Sequence, residues 1–483
     1  MARTRAAAPP WFGPTVGLLL LLAGLGLAAA GSHGPLPNDD TYFHLRFGRE
    51  FLDGTWSLRS PGSVSTFATE SWVPTQWLPQ VAMAWLERHG GLGAVAAASG
   101  ALVVAYLGLL WAIARRHLAP VAAAALVLAV MLASAGHLTA RPQVISYVLT
   151  AWFTAAWLRA VADRRPPYHL VPLTWLWAAC HGMWPVGLVV GVLACVGAWL
   201  DTREARTALR LATVPLAGAV VAALTPVGPA LYGAVVAVGG RSEFFAEWGP
   251  TDFTVPSPAV LALLLALLVT VLARRRRRPS WTTCLLALLA LAWALYSART
   301  VPVSAAVLAP VLAHALRRTE PDVTAGAPGV PEAEHHRGAP SRLELAVGGA
   351  AVALAVVAVV VLNLRAGDEP DDDLAWAAPA LDALPAGTVL LDDWGRGGYL
   401  MWRHPQLDLV MHGYGDTFTV EELRRNTDLT DVEPRWDEMV ADTGARWALL
   451  RTDSSLGYAV EHDLGWERVE TGGDHVLLRH PGE

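Results

Sequence analysis

No lysine occurs in the 483 residues, and all 36 basic side chains are arginine. A coding bias accounts for that better than a functional demand, and no activity is read from it. Cysteine is nearly as scarce. Cys180, Cys195 and Cys284 are odd in number and lie inside apolar stretches, so they build no disulfide framework and behave as small buried hydrophobes. Charge is sparse too: 16% of residues are charged against 54% hydrophobic, which excludes a soluble globular class for most of the chain. Metal motifs are missing, with no HExxH, no paired CxxC and no acidic run at EF-hand spacing, so no metal ligands are assigned. There is no P-loop or dinucleotide fingerprint either, which argues against a nucleotide-driven pump.

What the chain has in quantity is apolar sequence, and runs long enough for a hydrocarbon core of ~30 Å recur from residue 11 to residue 364. Spans are expected near 11–30, 93–114, 119–137, 143–161, 170–181, 183–200, 211–226, 258–273, 280–297, 301–316 and 343–364, about eleven in all. Arginine sets the orientation, because short cytoplasmic loops retain positive charge. With the N-terminus inside, 19 of the 27 arginines before residue 366 fall on the cytoplasmic side. Three long segments then lie outside: 31–92, 227–257, and everything from 366 onward. The first span also reads as a signal peptide, with MARTR before an apolar run ending in Ala28-Ala29-Ala30. Either reading leaves the following loop on the outer face.

The last quarter is a different material. From residue 366, 25 acidic residues face 9 arginines, a net of −16, whereas the preceding part carries +10. Such a tail is repelled by phosphate backbones, so nucleic acid is not an expected partner. Its pattern, TVLLDDW, GYLMWRH, LDLVMHG, a helix near Val432 to Thr443, RWALLRTD and WERVETGGDHVLLRH, predicts a compact α/β domain spanning 366–483. The Pro-, Gly- and Ala-rich stretch 319–341 predicts a cytoplasmic linker. The membrane part is therefore 1–365.

Candidate chemistry gathers at the outer ends of the spans. Asn38, Asp39 and Asp40 precede a predicted helix from Thr41 to Leu52. One of the three suffices as a cap, so at least one acid is left for other work. Phe43, Phe47 and Phe51 form a stripe at four-residue spacing, which predicts an interfacial helix with the stripe in lipid and Arg46, Arg49 and Glu50 facing water. His44 lies on the same helix. Arg141 and Arg299 stand at outer helix ends, where positive charge is disfavoured. They either snorkel to headgroups or bind an anion, and the planar guanidinium suits phosphate.

His181 sits at the tip of a hairpin of about 31 residues, too short to clear the bilayer at 1.5 Å per residue. Irregular backbone at that depth requires a protein-lined or wet cavity, so an outward-open pocket is expected, with His181 either packed or hydrogen-bonding a substrate. Glu247 beside Trp248 reads as a carboxylate next to a sugar-binding platform, or as an interfacial aromatic anchor.

The stretches PNDDTYFHLRFGREFLDG, STFATESWVPTQWL, TARPQVISYVL, PLTWLWAACHGMWPVGL, FAEWGPTDF, SARTVPVSAAVLAPVLA and GRGGYLMWRHPQLDLVMHG together resemble the GT-C superfamily of polytopic glycosyltransferases. The likeness is to bacterial relatives of the protein mannosyltransferases, and it runs through nearly the whole chain. It implies a mainly α, polytopic membrane fold with an extracytoplasmic α/β domain, and a sugar donor carried on polyprenyl phosphate. It also implies an acidic catalytic base in the first outer loop, at Asp39 or Asp40. Such proteins commonly keep Asn before the His-Gly pair and His-Glu in the first loop; this chain has Cys180 and Thr75-Gln76 there.

The implied reaction is an inverting displacement at the anomeric carbon, with Asp39 or Asp40 taking the acceptor proton and Arg141 and Arg299 neutralising the leaving phosphate. No nucleotide cofactor is required. A flippase for lipid-linked saccharides and a non-catalytic envelope scaffold are the alternatives. Membrane lipid and a glycan, lipid or protein acceptor are the other expected partners.

Overall fold

Apolar runs of eighteen or more residues have nowhere to satisfy their backbone in a bilayer except within a helix. The computed structural model, which describes residues 12–482 except 33, 35, 276–277, 318–339 and 367–372, bears this out. The expected 319–341 linker falls almost wholly outside the described residues. Helices α1 (Phe12–Gly31), α2 (Asp39–Leu52), α3 (Trp77–Arg115), α4 (Pro120–Ser134), α5 (Gln143–Asp163), α6 (Leu170–Cys180) and α7 (Pro185–Thr202) come first. They are followed by α8 (Ala205–Ala222), α9 (Ala230–Arg241), α10 (Pro256–Ala273), α11 (Trp281–Tyr296), α12 (Val301–Leu316) and α13 (Arg342–Ala366). Among the described residues, 9 helical segments are long and apolar enough to cross a membrane, and α6 and α11 are shorter apolar helices. Together these match the eleven expected spans. The protein is a multi-pass membrane protein.

Helix α12 is buried along nearly its whole length and forms the centre of the bundle, with α4, α5, α10 and α11 packed around it. Helix α3 is broken at Gly90 and Gly91; Gly91 takes φ 65°, a left-handed conformation that an L side chain resists. The break separates the segment Trp77 to His89 from the span proper. Helix α6 has 11 residues and rises only ~16 Å, about half the bilayer core, so its tip at His181 ends inside the protein.

At one end of the bundle the loops are tied by charge. Arg115 pairs with Glu344 through both nitrogens, Nε at 2.6 Å and Nη2 at 2.8 Å, joining α3 to α13. Arg164 pairs with Glu204 there as well. At the opposite end sit α2, α9 and the C-terminal domain.

That domain contains α14 (Ala378–Asp382), β1 (Val389–Asp392), α15 (Gly397–Arg403), β2 (Asp408–Leu409), α16 (Val420–Thr430) and α17 (Trp436–Thr443). It closes with β3 (Trp447–Arg451), α18 (Ser455–His462), β4 (Glu467–Gly472) and β5 (His475–Arg479). The five strands form one sheet in the order β2-β1-β3-β5-β4. Strand β1 runs parallel to β2 and β3, while β5 runs antiparallel to β3 and β4. The expected helix near 432–443 is shorter, and α16 precedes it, started by a capping box between Thr419 and Glu422.

The C-terminal domain and α2 share one hydrophobic core, and this corrects the interfacial reading of α2. Phe43 and Phe47 are buried against Tyr414, Trp72 and Trp56 rather than in lipid. Tyr42 packs on Tyr399 and Trp402 of α15. The charged face is covered too: Arg46 pairs with Glu50, and Arg49 makes a bidentate pair with Glu87 (2.9 and 2.6 Å). A stripe of aromatics one helix wide is hydrophobic to the same degree whether its partner is lipid or protein. Only the fold distinguishes them.

Because Arg115 is nearly inaccessible while Glu344 keeps some contact with solvent, Arg115→Ala is expected to destabilise the detergent-solubilised protein by about 2 kcal/mol. Replacing both partners by leucine should recover most of that loss, read as the apparent Tm.

Candidate functional site

A cavity of about 1020 Å³ lies where the 31–92 and 227–257 segments, the helical bundle and the C-terminal domain meet. All eight residues singled out from the sequence line it: Asp39, Asp40, His44, Arg141, His181, Glu247, Trp248 and Arg299. One part is apolar, built by Val186 and Val189 of α7, Val235 of α9, and Leu289 and Trp293 of α11. The other part carries the charge.

The charged part is a chain of alternating signs. Asn38 caps α2, its side chain accepting from the Asp40 amide at 3.0 Å, so neither acid is consumed in capping. Asp40 pairs with Arg141, whose Nη1 also donates to Glu247 Oε1 at 3.0 Å. The other Glu247 oxygen accepts from Arg299 at 2.9 Å. Arg141 is almost wholly enclosed, its side chain 4% exposed, whereas those of Asp40, Glu247 and Arg299 are 32%, 38% and 28% exposed.

Short turns position these groups. Arg299 sits in a single 3-10 turn, Ala298–Thr300, held by a capping box between Ser297 and Thr300. The Ala298 amide donates to Gly249 O at 3.1 Å, tying that turn to the 3-10 turn Ala246–Trp248 that carries Glu247. The Arg299 guanidinium lies 5.2 Å over the Trp248 ring. Burial pushes the Glu247 carboxyl up, but Arg141 and Arg299 outweigh it and hold the group below the usual glutamate range. Glu247 is therefore ionised at neutral pH.

Asp39 has a different environment. Its two carboxylate oxygens accept from the backbone amides of Gly398 (2.7 Å) and Tyr399 (2.9 Å), at the start of α15. Gly398 has to be glycine for this contact, since a Cβ there would collide with the Asp39 carboxylate. Burial pushes the Asp39 carboxyl up to about 7, against the pull of the two amides and Arg396.

The two histidines are set deep. Ser146 Oγ accepts from the Trp177 indole N–H at 2.7 Å and lies 2.8 Å from His181 Nδ1, which accepts from the Met183 amide at 3.4 Å. That leaves the His181 proton on Nε2. His44 lies 3.1 Å from the Gln80 amide, and burial, reinforced by Arg141, holds it well below the usual histidine range and so neutral.

Reasoning from the sequence missed several cavity residues. Thr75 and Gln76 line it, as do Arg241, Trp394, Tyr414 and Asp416. Arg241 pairs with Glu70 at 3.1 Å and donates to Phe418 O at 3.1 Å, clasping the C-terminal domain. Asp416 brings a further carboxyl into the cavity, pushed up by burial although Arg241 and Arg299 pull the other way. Both come from segments with no local motif. The sole sequence hint was GYGD, directly after the LDLVMHG strand. Outside the cavity, Asp373, Asp474 and His475 bring ligand atoms within 4.8 Å of one another, but Arg396 and Arg451 already pair with the two acids.

No family model matches the chain, and no curated protein is similar enough in sequence to match. Solved structures do match. The oligosaccharyltransferase AglB of Archaeoglobus fulgidus, in complex with an inhibitory peptide and a dolichol-phosphate, superposes with TM-score 0.54 at 11% identity, over 91% of this chain and 70% of that one. ArnT of Cupriavidus metallidurans in the apo state gives TM-score 0.50 at 18% identity, over 96% and 97% of the two chains. The Archaeoglobus fulgidus oligosaccharyltransferase tethered to an acceptor peptide with an NVT sequon gives 0.50 at 12%, over 92% and 70%. This chain shares the fold of these three structures. At such identities the likeness is one of fold.

A carboxyl whose folded pKa is raised binds its proton more tightly folded than unfolded, so it costs stability as pH rises from the unfolded value. For Asp39 that window runs from the ordinary 3.8 to about 7. Thermal stability of the full-length protein should fall across it, and Asp39→Asn, which mimics the neutral form, should flatten the slope. An unchanged slope in Asp39→Asn would assign the effect to other acids.

Proposed function

We propose that this protein is a glycosyltransferase that moves a sugar from a polyprenyl-phosphate donor to an acceptor at the outer face of the cytoplasmic membrane. The observation that carries this reading is the convergence of three arginines, four carboxyls and an aromatic platform on one cavity with apolar walls. AglB is seen with a lipid phosphate and a peptide. The cavity here offers matching chemistry: an apolar stretch for a polyprenyl chain, a cationic pair for its phosphate, and a roof from the C-terminal domain for an acceptor. The arginine bias supports a cytoplasmic N-terminus and a C-terminal domain outside.

In this reading the phosphate binds at Arg299 and Arg141, which neutralise the charge that develops on it as the anomeric C–O bond breaks. Asp40 takes the acceptor proton. Asp40 is preferred to Asp39 because it is open to the cavity, whereas both oxygens of Asp39 are engaged by backbone amides and hold α15 in place. Trp248 supplies a face for the sugar ring, and the Nε2–H of His181 a donor to it. His44 fills the wall behind Asp40. Attack from the side opposite the phosphate inverts the anomeric centre. The donor is already activated, so no nucleotide takes part, and no step calls on a metal ion.

Reconstituted in lipid vesicles with a panel of polyprenyl-phosphate sugars, the protein should release polyprenyl phosphate. Asp40→Asn should lower turnover by roughly 10²- to 10⁴-fold, the usual contribution of a general base. Lipid translocation that survives this substitution, without sugar transfer by the native protein, would point to a flippase. Silence of both Asp40→Asn and Arg141→Ala would point to a scaffold.

A further inference from the structure

The two guanidinium groups assigned to the phosphate are not free in the empty cavity. One Glu247 oxygen accepts from Arg141 and the other from Arg299, at 3.0 and 2.9 Å. A carboxylate spanning two guanidiniums with one oxygen each imitates the way a phosphate would span them. Counting Asp40, which pairs with the same Arg141 nitrogen as Glu247, the cluster holds two acids and two arginines and is formally neutral. An arriving anion therefore meets no net positive charge while Glu247 stays where it is.

Which group gives way follows from the supports. Arg141 is enclosed, and its other partner, Asp40, is fixed on the first turn of the 14-residue helix α2. Glu247 is the most exposed member of the cluster, 38% open to the cavity, and is carried on one 3-residue 3-10 turn next to another, Ser242–Phe244. A small change in that turn withdraws the carboxylate from both arginines at once.

Resting on the reading of Arg141 and Arg299 as the phosphate site, we propose that Glu247 is an internal stand-in for the lipid phosphate. It occupies the anion subsite between turnovers and is displaced when the phosphate binds. Two consequences follow. The arginines stay paired when the cavity is empty, which avoids leaving guanidinium charge unmatched beside an apolar wall. The carboxylate also competes with the product, so its return helps to expel the polyprenyl phosphate left after transfer. The residue sets how tightly the carrier phosphate is held, and it does so by weakening that hold.

The test is equilibrium binding of farnesyl phosphate and of farnesol to the full-length protein in detergent, with thermal stability measured alongside. Glu247→Gln should bind farnesyl phosphate more tightly than the native protein, by roughly 10- to 100-fold as expected for removing one partly screened charge. Farnesol, which lacks the phosphate, should show no such gain. In Glu247→Gln/Arg299→Ala the gain should vanish. Unchanged or weaker farnesyl phosphate binding in a folded Glu247→Gln would overturn the stand-in role. If Glu247→Gln does not fold, Glu247→Asp carries the test: its shorter side chain cannot reach both guanidiniums, so affinity should still rise, and no rise overturns the proposal. Equal affinity of the native protein and Arg299→Ala would instead show that the arginines are not the phosphate site, which is a failure of the underlying assignment and not of the competition.

Discussion

An enclosed guanidinium cannot stand alone, and the half of this molecule that carries the C-terminal domain is organised around that constraint at Arg141. Its side chain is nearly inaccessible, and its charge is met by Asp40 at the start of α2 and by Glu247 from the 227–257 segment. Glu247 in turn reaches Arg299, at the start of the central helix α12. Four groups spread over 260 residues of chain are thereby held within one ion-pair network. The loops that carry them include short 3-10 turns that would have little reason to adopt one arrangement without those pairs.

The second organising contact is between Asp39 and the start of α15. A carboxylate accepting two successive backbone amides both satisfies a helix N-terminus and fixes where the C-terminal domain sits. Around it, the aromatic core shared by α2 and the domain supplies the apolar area, with Tyr42, Phe43 and Phe47 facing Tyr399, Trp402 and Tyr414. The adjacent acids Asp39 and Asp40 are thus divided by one residue of helical rotation. One has both oxygens engaged by the domain, and the other pairs with Arg141 and stays partly open to the cavity.

Legibility varied with how local each cause was. The spans were readable because a bilayer imposes length and hydrophobicity on contiguous residues, and the start of α2 because Asn38 caps it within two residues. The hairpin tip at His181 was readable from arithmetic on helix rise. The Phe43–Phe47 stripe was visible, but its burial partner was not, since lipid and a protein core ask for the same apolar face. Helix α16 was announced by Thr419 and Glu422 at capping-box spacing and was overlooked. Arg241 had no local signal, and Asp416 had only the GYGD turn. Each matters only through what lies opposite it.

The amino-acid sequence by itself determined a polytopic, mainly helical membrane protein with an acidic α/β domain, and it marked eight polar or aromatic residues as out of place for that setting. Those properties depend on composition and on spacing within a few turns of chain. Tertiary structure alone decided that the eight share one cavity, that Asp39 anchors while Asp40 stays open, and that Glu247 bridges both arginines. Charge pairing across hundreds of residues has no periodicity to read, because it depends on distances that exist only once the bundle and its domain have packed.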